Sequence, residues 1–136
     1  MAAIAEFLSF YTELGLATHN LNTDRIKAAI TNVLPDIAQT VFDPVTNHAA
    51  PAASDGYTAG GHDIQNLFSA GKMTATDIVL TSGAGGIGPF RYVVLYNSSK
   101  SDKLIGWIAY TSSITLASGE TFTIDFDAAA GVLTIP

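Results

Sequence analysis

The sequence predicts a mainly β protein: a single antiparallel β-sandwich, jelly-roll or immunoglobulin-like, preceded by a short N-terminal α-helix. Three observations predict it. From residue 73 onward, short runs rich in β-branched and aromatic residues alternate with turn-forming pieces. No helical pattern separates those runs, so the crossovers of a parallel α/β sheet are not foreseen. A chain of 136 residues has the size of one domain, and burying roughly two thirds of its unfolded surface gives it one real core.

The elements follow in order. Ile4, Phe7, Leu8, Tyr11 and Leu14 recur at helical spacing, which predicts an amphipathic helix over residues 2–14 with Gly15 as its stop. Residues 1–20 thus form a helical docking segment and residues 21–136 the sandwich. In "LNTDRIKAAITNVLPD" the alternation of Arg25, Lys27 and Ala29 with Ile26, Ala28 and Ile30 favours a strand. A helix capped by Thr23 or Asp24 competes with it. Residues 43–63 hold three glycines, two prolines and little periodicity, and read as a long functional or mobile loop. Strands are expected at Thr74–Thr81, Phe90–Asn97, Leu104–Tyr110, Glu120–Phe126 and Val132–Ile135. The glycine loop, "NSSKSDK", "ASGE" and "DAAAG" are the turns between them.

Composition limits the partners. Hydrophobic residues make up 48% of the chain and charged residues 13%, about half the usual charged share of roughly 25%. A surface so short of charge is poorly defended against association and suits life inside an assembly. The net charge is −6 with six basic residues, so no basic patch is foreseen for a nucleic acid or an anionic membrane. Cysteine is absent, which excludes disulfides and thiolate metal sites. The N-terminus carries Glu6 and Glu13 and no basic residue, unlike a secretory signal. No apolar stretch approaches membrane-spanning length.

Candidate chemistry is thin. "LTSGAGGIGPF" contains Gly83-x-Gly85-x-x-Gly88 after a strand-like run, the spacing of a dinucleotide-binding fingerprint. That motif works by opening a helix whose N-terminus holds a pyrophosphate. Here Pro89–Tyr96 follows, which reads as a strand, so the glycines form a loop between strands. His19, His48 and His62 lack local metal-binding spacing, although His62-Asp63 is a possible ligand pair. Asp125 and Asp127 would share a strand face, yet no calcium-loop pattern surrounds them. No serine sits in a G-x-S-x-G elbow. Tyr92, Tyr96, Trp107 and Tyr110 would make a stacking platform if exposed, with Tyr92 and Tyr96 on one face, and Trp107 opposed to Ile108 and Tyr110. No catalytic residue, metal or cofactor is expected.

Five pieces stand in a particular order: "LNTDRIKAAI" (21–30), "GYTAGG" (56–61), "FRYVVLYN" (90–97), "LIGWIAY" (104–110) and "GETFTIDFDAAAGVLTI" (119–135). Their order and spacing resemble a family of small structural proteins of tailed bacteriophages. The resemblance covers nearly the whole chain, least well over 64–89. The chain has Ala109-Tyr110 where the family has an acidic residue, and Phe126 where it has Trp.

The resemblance implies a virion protein without enzymatic activity. Together with the low-charge surface it favours a capsid decoration or cement protein on the phage head, made in the bacterial host cytoplasm. Its expected partners are the major capsid protein and further copies of itself, as a dimer or trimer, and neither nucleic acid nor membrane. The expected docking residues are Phe7, Phe10, Tyr11 and Leu14 on the helix, Tyr57 and Thr58 in the long loop, and Gly85 and Gly86, whose flexibility would let the glycine loop settle on a neighbouring subunit. A tail or fibre-associated virion protein is the alternative within the class. A carbohydrate-binding module using the aromatic platform is the alternative outside it.

Overall fold

The structure is a computed structural model that describes residues 4–126 and 131–134. It is mainly β, with antiparallel sheets and one short helix. The first element is a strand, β1 (Ile4–Glu6), and the helix α1 begins only at Leu8 and runs to Gly15. The expected helix over 2–14 is therefore corrected. Its first turn is recruited into the sheet, where Ile4 pairs with Ile108 and Glu6 with Gly106. Gly106 makes this possible: a Cβ there would lie 2.6 Å from the Ala5 carbonyl oxygen and 2.9 Å from the Ile4 side chain. Tertiary pairing outweighs a weak local helical preference.

β2 (Ile26–Thr31) takes the strand alternative for its stretch. The region 43–63 contains two short strands, β3 (Ala53–Ser54) and β4 (His62–Asp63). β5 (Leu67–Ser69), β6 (Lys72–Thr74) and β7 (Ile78–Thr81) follow. The single strand expected over 74–81 is thus two strands, parted at 75–77, where Asp77 turns its carboxylate to the Phe126 amide at 2.7 Å. β8 (Ile87–Asn97) and β9 (Lys103–Leu116) form a long hairpin. β10 (Thr121–Ile124) and β11 (Leu133–Thr134) complete the chain. Asp127 and Ile135, placed in a turn and a strand by sequence, lie outside the described residues.

The largest sheet has the order β1-β9-β8-β2-β4, with β3 added to β8. β7 pairs with β10, and β6 lies between β5 and β11. The main core gathers Ile26, Ile30, Phe90, Val93, Leu95 and Ile108 from the large sheet with Met73, Leu80, Ile124 and Leu133 from the small ones. The alternate residues of the same large-sheet strands, Ala29, Val94, Tyr96 and Leu104, join Phe7 and Phe42 in a second core. β8 is therefore buried on both faces, which is why "YVVLYN" reads as a continuous apolar run rather than an alternating one.

Two irregularities mark the hairpin. Leu95 pairs with Gly106 but Tyr96 with Leu104, which leaves Ile105 as an extra residue. Nearer the far end, Phe90 pairs with Ile114 and Tyr92 with Ala109, so Tyr110–Ser113 of β9 stand opposite Arg91 alone. Such a bulge bends the strand and redirects side chains.

Candidate functional site

The structure divides the expected docking residues. Phe7 and Phe10 are fully buried, Phe7 in the second core and Phe10 in the main one. Both are corrected: Phe7, at the junction of β1 and α1, packs on Trp107, and Phe10 packs against His19, so neither ring is open to a partner. Tyr57 is corrected too. It is buried, its hydroxyl accepts the Ile30 N–H at 3.2 Å, and burial pushes its pKa up to about 12. Tyr11 and Thr58 are exposed, and Leu14 is half-buried.

Other apolar residues do reach water. Leu8, Tyr11 and Leu16 on or next to α1 are exposed, as are Val33, Leu34, Ile37, Val41 and Val45 in the segment after β2. The two segments touch: the Leu8 N–H donates to the Ile37 carbonyl at 3.1 Å and the Ser9 hydroxyl to that of Gln39 at 3.4 Å. Eight of the ten large hydrophobics exposed among the described residues lie on these two segments. Within residues 8–16 and 33–45 the charged residues are Glu13, Asp36 and Asp43, and Glu13 is paired with Lys103 at 3.4 Å. Sequence reasoning singled out Tyr11 alone of these eight. The signal was present in "VLPDIAQTVFDPV", where Leu34, Ile37 and Val41 recur at helical spacing but Pro35 and Pro44 interrupt the stretch, so its apolar residues have no regular element to bury them.

The glycine loop has a different task. Asp55 reaches into it: its carboxylate accepts the Gly85 N–H at 2.8 Å, its N–H donates to the Gly86 carbonyl at 2.9 Å, and its carbonyl accepts the Gly83 N–H at 2.9 Å. A Cβ on Gly83 would lie 2.5 Å from that carboxylate. Gly86 has φ +80° and a Cβ there would lie 2.9 Å from the Leu116 carbonyl oxygen. Gly85 and Gly86 are thus part of a loop tied by backbone and side-chain hydrogen bonds to Asp55, rather than one projecting freely toward a neighbouring subunit. Gly88 belongs to β8, so no helix follows the third glycine.

The histidines occupy three separate settings. His19 is buried beside Phe10, and its Nδ1 accepts from the Asn97 amide nitrogen at 3.0 Å. The same nitrogen donates to Asp24 at 2.8 Å, while Asn97 Oδ1 accepts the Ser99 N–H at 3.0 Å. That orientation places the His19 proton on Nε2, which is buried without a partner among the described residues. Burial lowers the His19 pKa against the opposing pull of Glu13 and Asp24. Burial also works to raise that of Asp24, but bonds from Asn20, Asn97 and Lys100 outweigh it and the carboxyl is held below its ordinary value. His48 lies stacked on Phe42, its Nδ1 accepting the Asp43 N–H at 2.8 Å and its Nε2 facing Gln39 Oε1 at 2.9 Å. His62 packs edge-on against Tyr57. Burial lowers the pKa of both.

A pocket of ≈ 380 Å³ opens beside α1, with Leu14, Ala17, His19, Leu21 and Phe68 among its walls. Its surface is largely apolar, and His19 Nε2 is sealed off from solvent. Among the described residues no group of three or more His, Asp or Glu gathers to hold a metal ion. The aromatic quartet does not form an open platform. Tyr92 and Tyr96 are buried, Tyr96 stacks on Phe42 at 4.1 Å, Trp107 packs on Phe7 at 4.7 Å and Tyr110 on Phe122 at 5.3 Å. Comparison with protein-family models, curated proteins and solved structures finds no match.

Proposed function

We propose that this chain is a non-enzymatic structural protein of a tailed-phage virion, and specifically a capsid decoration protein. It would bind the outer surface of the head and stabilise the lattice of the major capsid protein. The observation that carries the reading is the pair of touching segments that leave eight large apolar side chains in water. Exposed apolar surface concentrated in this way marks an interaction site rather than a solvated face. The ordered set of sequence pieces that resembles the phage family supplies the setting. The finer fold assignment belongs to the same proposal: the large sheet over the two small ones is a sandwich of jelly-roll or immunoglobulin-like type.

On this reading the docking face is Leu8, Tyr11, Leu16, Leu34 and Ile37. On a repeating lattice each contact is weak and the sum is strong. Copies pack about a symmetry axis as a dimer or trimer.

The test is co-sedimentation of the purified protein with empty capsids and, separately, with isolated tails. Saturable binding to capsids at a fixed ratio to the shell protein, lost in Leu16→Ser with Leu34→Ser, is the expected result. Binding to tails alone moves the protein to the tail or fibre. Binding to neither overturns the virion reading.

A further inference from the structure

The bulge in β9 faces a cation of β8, Arg91, that has no ion-pair partner among the described residues. Arg91 is half-buried, and its Nε donates to the Tyr110 carbonyl at 2.8 Å, which fixes the guanidinium over the bulged backbone. Its central carbon sits 5.8 Å from the centre of the Tyr92 ring. The chain has twice as many acidic as basic residues, 12 against 6. Arg25, Lys100 and Lys103 are each paired with a carboxylate, and Arg91 has none among the described residues. With Nε committed, the two terminal nitrogens remain, and they form the end-on fork that accepts both oxygens of a carboxylate.

The surroundings add polar groups of the right kind. Thr111, Ser112 and Ser113 are exposed on the bulge. Asn32 follows Thr31, the last residue paired with β8, and its Oδ1 accepts from the Ser113 hydroxyl at 3.3 Å. A strand that spends four residues opposite one, with three exposed hydroxyl residues in the excursion that faces Arg91, is a bulge of the kind that redirects side chains at sites.

We propose that Arg91 and the Tyr110–Ser113 bulge form a binding site for the side-chain carboxylate of a partner protein, with Arg91 as its fork and the bulge hydroxyls as its rim. The site does not depend on the virion reading.

The test titrates the full-length protein with a tri-glutamate peptide, following the Arg91 Nε–H and the amides of 110–113 by NMR, with sodium chloride at matched ionic strength and with inorganic phosphate in parallel. A saturable response to the peptide, absent with chloride and confined to this region, is expected. Arg91→Gln should weaken it at least tenfold. Arg91→Lys should also weaken it, because an ammonium cannot hold Tyr110 and fork a carboxylate together. Ser112→Asp, an exposed change that leaves Arg91 in place, should block the peptide by supplying a carboxylate from within the chain. Peptide binding unchanged in Arg91→Gln or in Ser112→Asp, or an equal response to chloride, overturns the proposal. Saturable binding of phosphate with none of the peptide overturns the assignment to a protein carboxylate.

Discussion

The two faces of the large sheet are covered in different ways. The main core is closed by other sheets, so its cover satisfies its own backbone through strand ladders. The second core is closed by an irregular segment that brings Phe42 onto Tyr96. That segment has only an isolated bridge, Val41 to Lys103, flanked by the Phe42 N–H to Asp102 carbonyl and Leu104 N–H to Thr40 carbonyl bonds at 2.9 and 3.0 Å, and side chains supply the rest. Asp43 accepts the N–H groups of Val45 and Thr46 at 3.0 and 3.2 Å, His48 accepts that of Asp43, and Gln39 meets the far side of the His48 ring. Apolar burial holds both covers down, but the irregular one also needs each polar tie to stay intact.

Breaking the main core should cost most. Phe90→Ala removes a fully buried ring that touches Phe122 edge-on, and a loss of about 3–5 kcal/mol in denaturant unfolding is expected. Phe42→Ala deletes the ring sandwiched by Tyr96 and His48, yet its segment can relax into the space, so about 2 kcal/mol is expected, below the range for enclosed phenylalanines. Equal losses for the two changes would erase the distinction between the covers.

Acid should find the irregular cover first. His48 has its folded pKa below the ordinary value of 6.5, so between that value and the lowered one the unfolded chain binds a proton that the folded chain does not. Stability is complete above 6.5 and falls as pH drops through the folded value, with His19 and His62 acting in the same direction. Hydrogen exchange at 42–48 should accelerate at pH 5 relative to pH 7, and His48→Gln should remove most of that change. Exchange there that ignores pH would mean that His48 does not hold the segment. The smallest effect belongs to the surface: Leu34→Ser, at an exposed position, should move stability by no more than about 0.5 kcal/mol.

What was legible in the sequence follows from where the pattern is local. β8 and the start of β9 are visible in "FRYVVLYN" and "LIGWIAY" because β-branched and aromatic runs bounded by turns leave little choice. The strand Ile4–Glu6 was not visible, since only Gly106, a hundred residues away, creates the space it occupies. The same holds for "GAGGIG": its spacing fits a phosphate loop, and the partner that explains it, Asp55, lies thirty residues earlier. The docking residues failed at Phe7 and Phe10 because helical periodicity identifies an apolar stripe without saying whether the stripe faces the chain's own core or a partner.

Burial of β8 on both faces has a consequence beyond stability. Tyr92–Asn97 is six residues of high β-propensity without charge, proline or glycine, a composition that stacks readily into cross-β fibrils when chains meet unfolded. The native fold keeps it between β2 and β9, with Arg91 the one charge beside it in β8. Heating should therefore end in aggregation rather than in a reversible transition, and the lifetime of the folded protein is then governed by how fast this central strand is released.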